Sequence, residues 1–308
     1  VANIVPFSAN LKVPMSCIET SNTNALPQSG TLRRGQFELG YSVEGSGQPA
    51  LVIGSSVYYS RTFSVHLREK LQLVFLDHRG FAPAVEPFAQ ADYELGVILD
   101  DIEAMRQHLS LGKVVVVGHS GHGYMALEYA KKYPQHVSYV VLIATGPSQS
   151  ESFAQLTERH FQEAVCLERK ARLEEDLRLL GNEIAAAPDR RFITFCIRLG
   201  ARSWFDPNFD GAPLWEGVHV NMPIFDYLWG EVFASLDITQ DLELLEAPVF
   251  LALGRFDYLV APHFAWEPYR EAFRDLTIRV FDRSSHTPQL EESSLFDQEL
   301  LLWLNEKN

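Results

Sequence analysis

Ser120 stands in the run Gly118-His119-Ser120-Gly121-His122-Gly123, between an apolar stretch at 113–117 and a helix-patterned stretch at 124–132. On a tight strand-to-helix turn a serine hydroxyl is lifted out of the sheet into a cleft. The first amides of the following helix point at the same spot, which suits a developing oxyanion. The chemistry such a residue offers is nucleophilic attack on a carbonyl carbon. The second small position of the turn, two residues after the serine, holds His122.

A serine hydroxyl is a weak nucleophile at neutral pH. It needs an imidazole to take its proton and an acid to hold that imidazole in the right tautomer. Downstream, Asp257 follows the apolar run 249–253 in Gly254-Arg255-Phe256-Asp257, and His286 follows the run 276–281 in Ser284-Ser285-His286-Thr287-Pro288. The order serine, acid, histidine with each on a post-strand loop makes Ser120, Asp257 and His286 the expected triad. His263 is the competing base, in a helix-like stretch between two strands. His119 is expected to pack under the turn, and His122 either faces the pocket or packs against a strand, with packing favoured. The spacing of His119 and His122 does not read as a metal pair, because no third ligand is nearby; neither metal nor cofactor is expected. Gly121, directly after the serine, and Ser55, in the loop after the run 50–53, are the expected backbone donors to an oxyanion.

Apolar runs at 50–53, 71–76, 113–118, 137–144, 249–253 and 276–281 alternate with helical patterns at 93–110, 124–132 and 293–306, while 36–44 alternates like an edge strand. Strands spaced by helices predict an α/β fold, a mostly parallel sheet flanked by helices, with chemistry at the carboxyl ends of the strands. Residues 147–240 show no strand pattern. They read as helices at about 150–180 and 188–203 and then an aromatic-rich stretch, a helical cap inserted in a core of 33–146 and 241–308. Residues 1–32 read as an N-terminal extension in which Met15 is a possible natural start.

Lys and Arg number 26 against 40 Asp and Glu, a net charge of −14. That sign disfavours nucleic acid and anionic membrane as partners and leaves a small molecule or short peptide as the expected one, with oligomeric state open. No apolar run is long enough to span a membrane, and no basic segment leads into an apolar one, so the expected location is cytoplasmic. Cys17, Cys166 and Cys196 form neither a disulfide framework nor a metal site, and the last two are expected as buried thiols.

With these residues in place the chain resembles the α/β-hydrolase superfamily over about residues 33–306. Asp77-His78-Arg79-Gly80 is similar to the D-x-R-G turn found in many members, where its role is structural. Within the superfamily, Gly118-His119-Ser120, the stretch Leu127-Glu128-Tyr129-Ala130-Lys131-Lys132-Tyr133-Pro134 and the helical cap are most similar to the proline iminopeptidase-like group. The resemblance implies release of an N-terminal residue, often proline, or hydrolysis of small esters and amides. An aminopeptidase must neutralise a substrate ammonium, and Glu216, Asp226 and Glu231 are the carboxylates set among cap aromatics. A carboxylesterase or lactonase is the alternative within hydrolases. A non-catalytic small-molecule receptor of the same fold is the alternative outside them.

Overall fold

The computed structural model describes residues 28–307; Met15 and Cys17 lie outside the described residues. Along the chain run β1 (Gln28–Arg34), β2 (Phe37–Gly45), β3 (Gln48–Gly54), α1 (Ser56–Ser60), α2 (Val65–Arg68), β4 (Leu71–Asp77), α3 (Leu95–His108), β5 (Val114–His119), α4 (His122–Lys132) and β6 (Val137–Ile143). Helices α5 (Glu151–Ala164), α6 (Leu167–Ala186), α7 (Arg191–Arg198), α8 (Gly200–Ser203), α9 (Met222–Tyr227) and α10 (Phe233–Ser235) follow. Then come β7 (Val249–Gly254), β8 (Leu276–Phe281), α11 (Pro288–Glu291) and α12 (Ser293–Lys307).

The eight strands form one sheet in the order β1-β2-β4-β3-β5-β6-β7-β8, antiparallel at β1, β2 and β4 and parallel from β4 onward. β5 is a run of four valines because both of its faces are covered. Val114 and Val116 pack with Ile102 and Met105 of α3 and Met125 of α4, while Val115 and Val117 pack with Phe250, Phe296 and Trp303. From β3 the chain moves to β4 on one side, and from β5 to β6 on the other. The carboxyl ends of β3 and β5 therefore flank a topological switch point, the place where such sheets open a crevice.

The sheet starts earlier than the sequence suggested. β1 occupies Gln28–Arg34, overlapping the segment read as an extension, and pairs with β2 from Gln28↔Val43 to Arg34↔Phe37. It escaped pattern reading because it is an edge strand with mostly exposed, polar residues. Gly35, at φ +57°, closes the hairpin in the left-handed region that glycine tolerates. The interval between β6 and β7 is helical throughout its regular structure, and its expected long helix at 150–180 is two helices broken at Val165–Cys166. Cys166 is a correction: it is exposed at the N-cap of α6, where helix packing does not reach it. Cys196 is largely covered, and burial pushes its thiol up to about 12.

Candidate active site

Ser120 sits between β5 and α4 with φ +56°, a left-handed conformation that costs a non-glycine residue of the order of 1–2 kcal/mol. Three bonds hold it there. Its amide donates to Ile143 O at 2.8 Å, and its carbonyl accepts from Gly123 N at 2.9 Å and Thr145 Oγ1 at 3.1 Å. A Cβ at Gly118 would lie 2.2 Å from His122 O, and one at Gly123 would lie 2.0 Å from Thr145 Oγ1. The close approach of α4 to the sheet is therefore met at 118 and 123. The residue at 122 is freed to carry an imidazole. Ser120 Oγ has no hydrogen-bond partner among the described residues and faces the main cavity.

Asp257 follows β7 and His286 follows β8, which are neighbours in register from Val249↔Leu276 to Gly254↔Phe281. The two loops cross closely: a Cβ at Gly254 would lie 1.8 Å from Ser285 O. His286 Nδ1 donates to Asp257 Oδ2 at 2.7 Å. Asp257 Oδ1 accepts from Leu259 N at 2.9 Å and Val260 N at 3.3 Å, so the carboxylate is fixed before it meets the imidazole. With Nδ1 protonated, His286 Nε2 carries the lone pair, the state a general base needs. His286 and Ser120 line the same cavity; His263 lies outside it.

The cavity measures about 860 Å³ and is walled mainly by aromatic and aliphatic side chains, with Tyr58, Phe192, Trp215, Phe225 and Trp229 at one side. Phe192 and Phe225 stack with centroids 4.0 Å apart. Trp229 lies on a single π-helical turn, Leu228–Val232, and rests against Gly121.

The expected amine anchors do not assemble. Glu216 and Glu231 are exposed and outside the cavity lining, because each turns outward from a segment whose aromatics face in. Asp226 does line the cavity but is paired with Arg191. Among the described residues no unpaired carboxylate faces the cavity. Gly121 is the N-cap of α4, and no side chain caps the helix; Gly123 N and Tyr124 N turn back to Ser120 O and Gly121 O. Ser55 is buried at the N-cap of α1, its Oγ accepting from Tyr58 N at 3.2 Å. Neither is among the residues that line the cavity, although Gly121 directly follows Ser120, which does.

His119 and His122 are both buried and both touch the cavity. His122 packs and faces the pocket at once: its ring bonds Tyr59 and His78. Burial drives His78 and His119 down to about 3 and His122 well below the usual imidazole range, so all three are neutral. In the Asp77–Gly80 turn, Asp77 Oδ1 accepts from Ser56 N at 2.5 Å and fixes the loop after β3, while burial lifts the Asp77 carboxyl to about 6. Arg79 reaches Asp101 of α3 through Nε at 2.5 Å and Nη2 at 3.0 Å.

Sequence reasoning passed over Glu291. Its Oε2 accepts from Ser285 N at 2.9 Å and Thr287 N at 3.1 Å, the residues on either side of His286, and its Oε1 accepts from Phe205 N at 2.6 Å. One carboxylate thus ties the histidine loop to the helical insertion. Its only sequence signal was its position, five residues after His286, and that is no motif.

A family profile described as the alpha/beta hydrolase fold matches residues 47–172. The AB hydrolase superfamily protein YclE of Bacillus subtilis is 44% identical over 281 residues, covering 91% of this chain and 100% of its own length. Among solved structures, a proline iminopeptidase of Mycobacterium smegmatis superposes with a TM-score of 0.67 at 18% identity, over 91% of this chain and 98% of its own. A thermophilic esterase of Thermogutta terrifontis does so with a TM-score of 0.64 at 20% identity, over 91% and 99%. The two solved neighbours show the shared fold, the full-length relative carries the kinship, and the chain belongs to the α/β-hydrolase superfamily.

Proposed function

We propose that the protein is a serine hydrolase acting through Ser120, His286 and Asp257 on a neutral, largely apolar carboxylic ester or lactone. Ser120 Oγ attacks the carbonyl carbon while His286 Nε2 takes its proton. Asp257 holds the Nδ1–H tautomer and stabilises the imidazolium that forms. The oxyanion collects beside the start of α4, with the Gly121 N–H and, from the end of β3, the Ser55 N–H as donors. Collapse expels the alcohol, which takes the proton from His286. Water, activated by the same imidazole, then hydrolyses the acyl-enzyme. The helices of 147–240 act as the cap that walls the acyl pocket and limits water.

The observation that carries the substrate reading is the state of the cavity's carboxylate. Asp226 is already held by Arg191, and the remaining wall is mainly aromatic and aliphatic. A substrate ammonium would be desolvated there without a free counter-charge, which is unfavourable. The test is an assay of para-nitrophenyl acyl esters beside proline naphthylamide. Ester hydrolysis with little turnover of the naphthylamide supports the reading. The reverse preference, lost in Asp226→Asn with ester turnover intact, would return the aminoacyl reading.

A further inference from the structure

Four buried rings outside the triad form a continuous chain of hydrogen bonds whose direction leaves no choice. His78 Nδ1 accepts from Gly80 N at 3.0 Å, so the His78 proton sits on Nε2. His78 Nε2 donates to His122 Nε2 at 3.1 Å, which places the His122 proton on Nδ1. His122 Nδ1 lies 3.2 Å from His119 O, an oxygen that can only accept, so the same tautomer follows independently. His122 Nδ1 also donates to Tyr59 Oη at 2.9 Å. Tyr59 Oη in turn donates to His119 Nδ1 at 3.1 Å. His119 Nε2 finally donates to the backbone oxygen of His286 at 2.7 Å. Two backbone anchors, Gly80 N and His286 O, therefore fix three tautomers and a phenol rotor between them.

We infer that His119 is a positioning residue for His286, seated by the Tyr59–His122–His78 chain, which sets the backbone of the base while Asp257 sets its ring. This rests on His286 being the base of the proposed hydrolase. Asp257 controls the imidazole through Nδ1, and Glu291 clamps the amides on either side of it. The His286 amide donates to Ser203 O at 2.9 Å, and His119 contributes the constraint on the carbonyl. The chain also accounts for the imidazole at 122: a glycine there would leave Tyr59 Oη and His78 Nε2 without these partners. A Cβ at Gly54 would lie 2.1 Å from Tyr59 Cε2, so glycine at the end of β3 is what lets the Tyr59 ring reach the chain.

Two side chains separate the functions of the His119 ring. Glutamine can place its Nε2 where the imidazole Nε2 stands and keep the bond to His286 O. Asparagine reproduces only the Nδ1 side, keeping a partner for Tyr59 and losing the carbonyl bond. The expected result is that His119→Gln keeps kcat for a para-nitrophenyl ester, while His119→Asn lowers kcat by about 10- to 100-fold with little change in KM. Tyr59→Phe lowers kcat in the parent and changes it by less than about twofold in the His119→Gln background, because the seat it provides is then unused. Long-range ¹⁵N spectra of the parent protein test the chain without any variant. They should show His78 and His119 as Nε2–H tautomers and His122 as Nδ1–H, unchanged from pH 5 to 8. Equal kcat for the two His119 variants, or a different tautomer at any of the three rings, overturns the inference while ester turnover keeps the hydrolase reading. Absence of turnover in the parent overturns that reading and leaves the tautomers as a separate result.

Discussion

At the scale of single residues, the site separates groups that do chemistry from groups that hold them. Asp257 is not among the residues that line the cavity. It accepts from two backbone amides and from His286 Nδ1, so in the proposed mechanism its contribution is the tautomer. Asp257→Asn should leave the thermal midpoint nearly unchanged and lower kcat on a chromogenic ester by a factor of the order of 10⁴, the size of effect found for the corresponding change in serine proteases. A loss under tenfold would mean that His286 does not depend on this carboxylate. The proposed triad of Ser120, Asp257 and His286 could be picked from the sequence because each follows an apolar run in the order such chemistry requires. The sequence could not make Tyr59, His78 or Glu291 legible. Tyr59 and His78 meet His119 and His122 60 and 44 residues away, and Glu291 joins Ser285 and Thr287 nearby to Phe205 86 residues away; no spacing rule spans the long distances.

At the scale of elements, the strand ends and the start of α4 position everything. The strand-to-helix turn at Ser120 depends on two close approaches of α4 to the sheet, and Gly123→Ala would push a methyl into Thr145 Oγ1 at 2.0 Å. The expected cost is about 1–3 kcal/mol by overpacking, read as a lower urea midpoint; an unchanged midpoint would show that the helix can shift without loss. The turn after β4 is tied to α3 by Arg79 and Asp101, both nearly inaccessible to solvent. Asp101→Ala strands a buried guanidinium and should destabilise the fold by about 3–5 kcal/mol, visible as a large drop in thermal midpoint, whereas a drop of only a degree or two would contradict it. The central strands were readable because a sheet covered on both faces requires apolar runs. β1 was not, because an exposed edge strand imposes no such pattern. Glu216 and Glu231 turn outward while Asp226 reaches the cavity, a difference that composition, which reports only that acids lie among aromatics, does not carry.

At the scale of the whole molecule, buried neutral histidines set the response to acid. The folded pKa values of His78 and His119 lie near 3 and that of His122 is also depressed, all below the ordinary value of 6.5. As pH falls below 6.5 the unfolded chain binds these protons and the folded chain does not. Their stabilising contribution is therefore present above pH 6.5 and is lost as pH falls toward 3, at about 1 kcal/mol per pH unit for each ring. Asp77 acts in the opposite sense. Its folded pKa is raised from 3.8 to about 6, so between those values the folded chain takes the proton first and gains stability on acidification. Urea midpoints should fall from pH 6 to pH 4, and fall more steeply in Asp77→Asn. A midpoint that is flat across this range, or a shallower fall in the variant, would contradict the assignment. Among the described residues no helix is long and apolar enough to cross a membrane.

Whether Ser120 is an activated nucleophile in an assembled site is a state that a fluorophosphonate probe reads directly. The folded protein should be labelled stoichiometrically at Ser120, with labelling abolished in Ser120→Ala and in the denatured chain and strongly slowed in Asp257→Asn. Labelling of the folded protein no faster than of the denatured chain, or at a residue other than Ser120, would contradict the account.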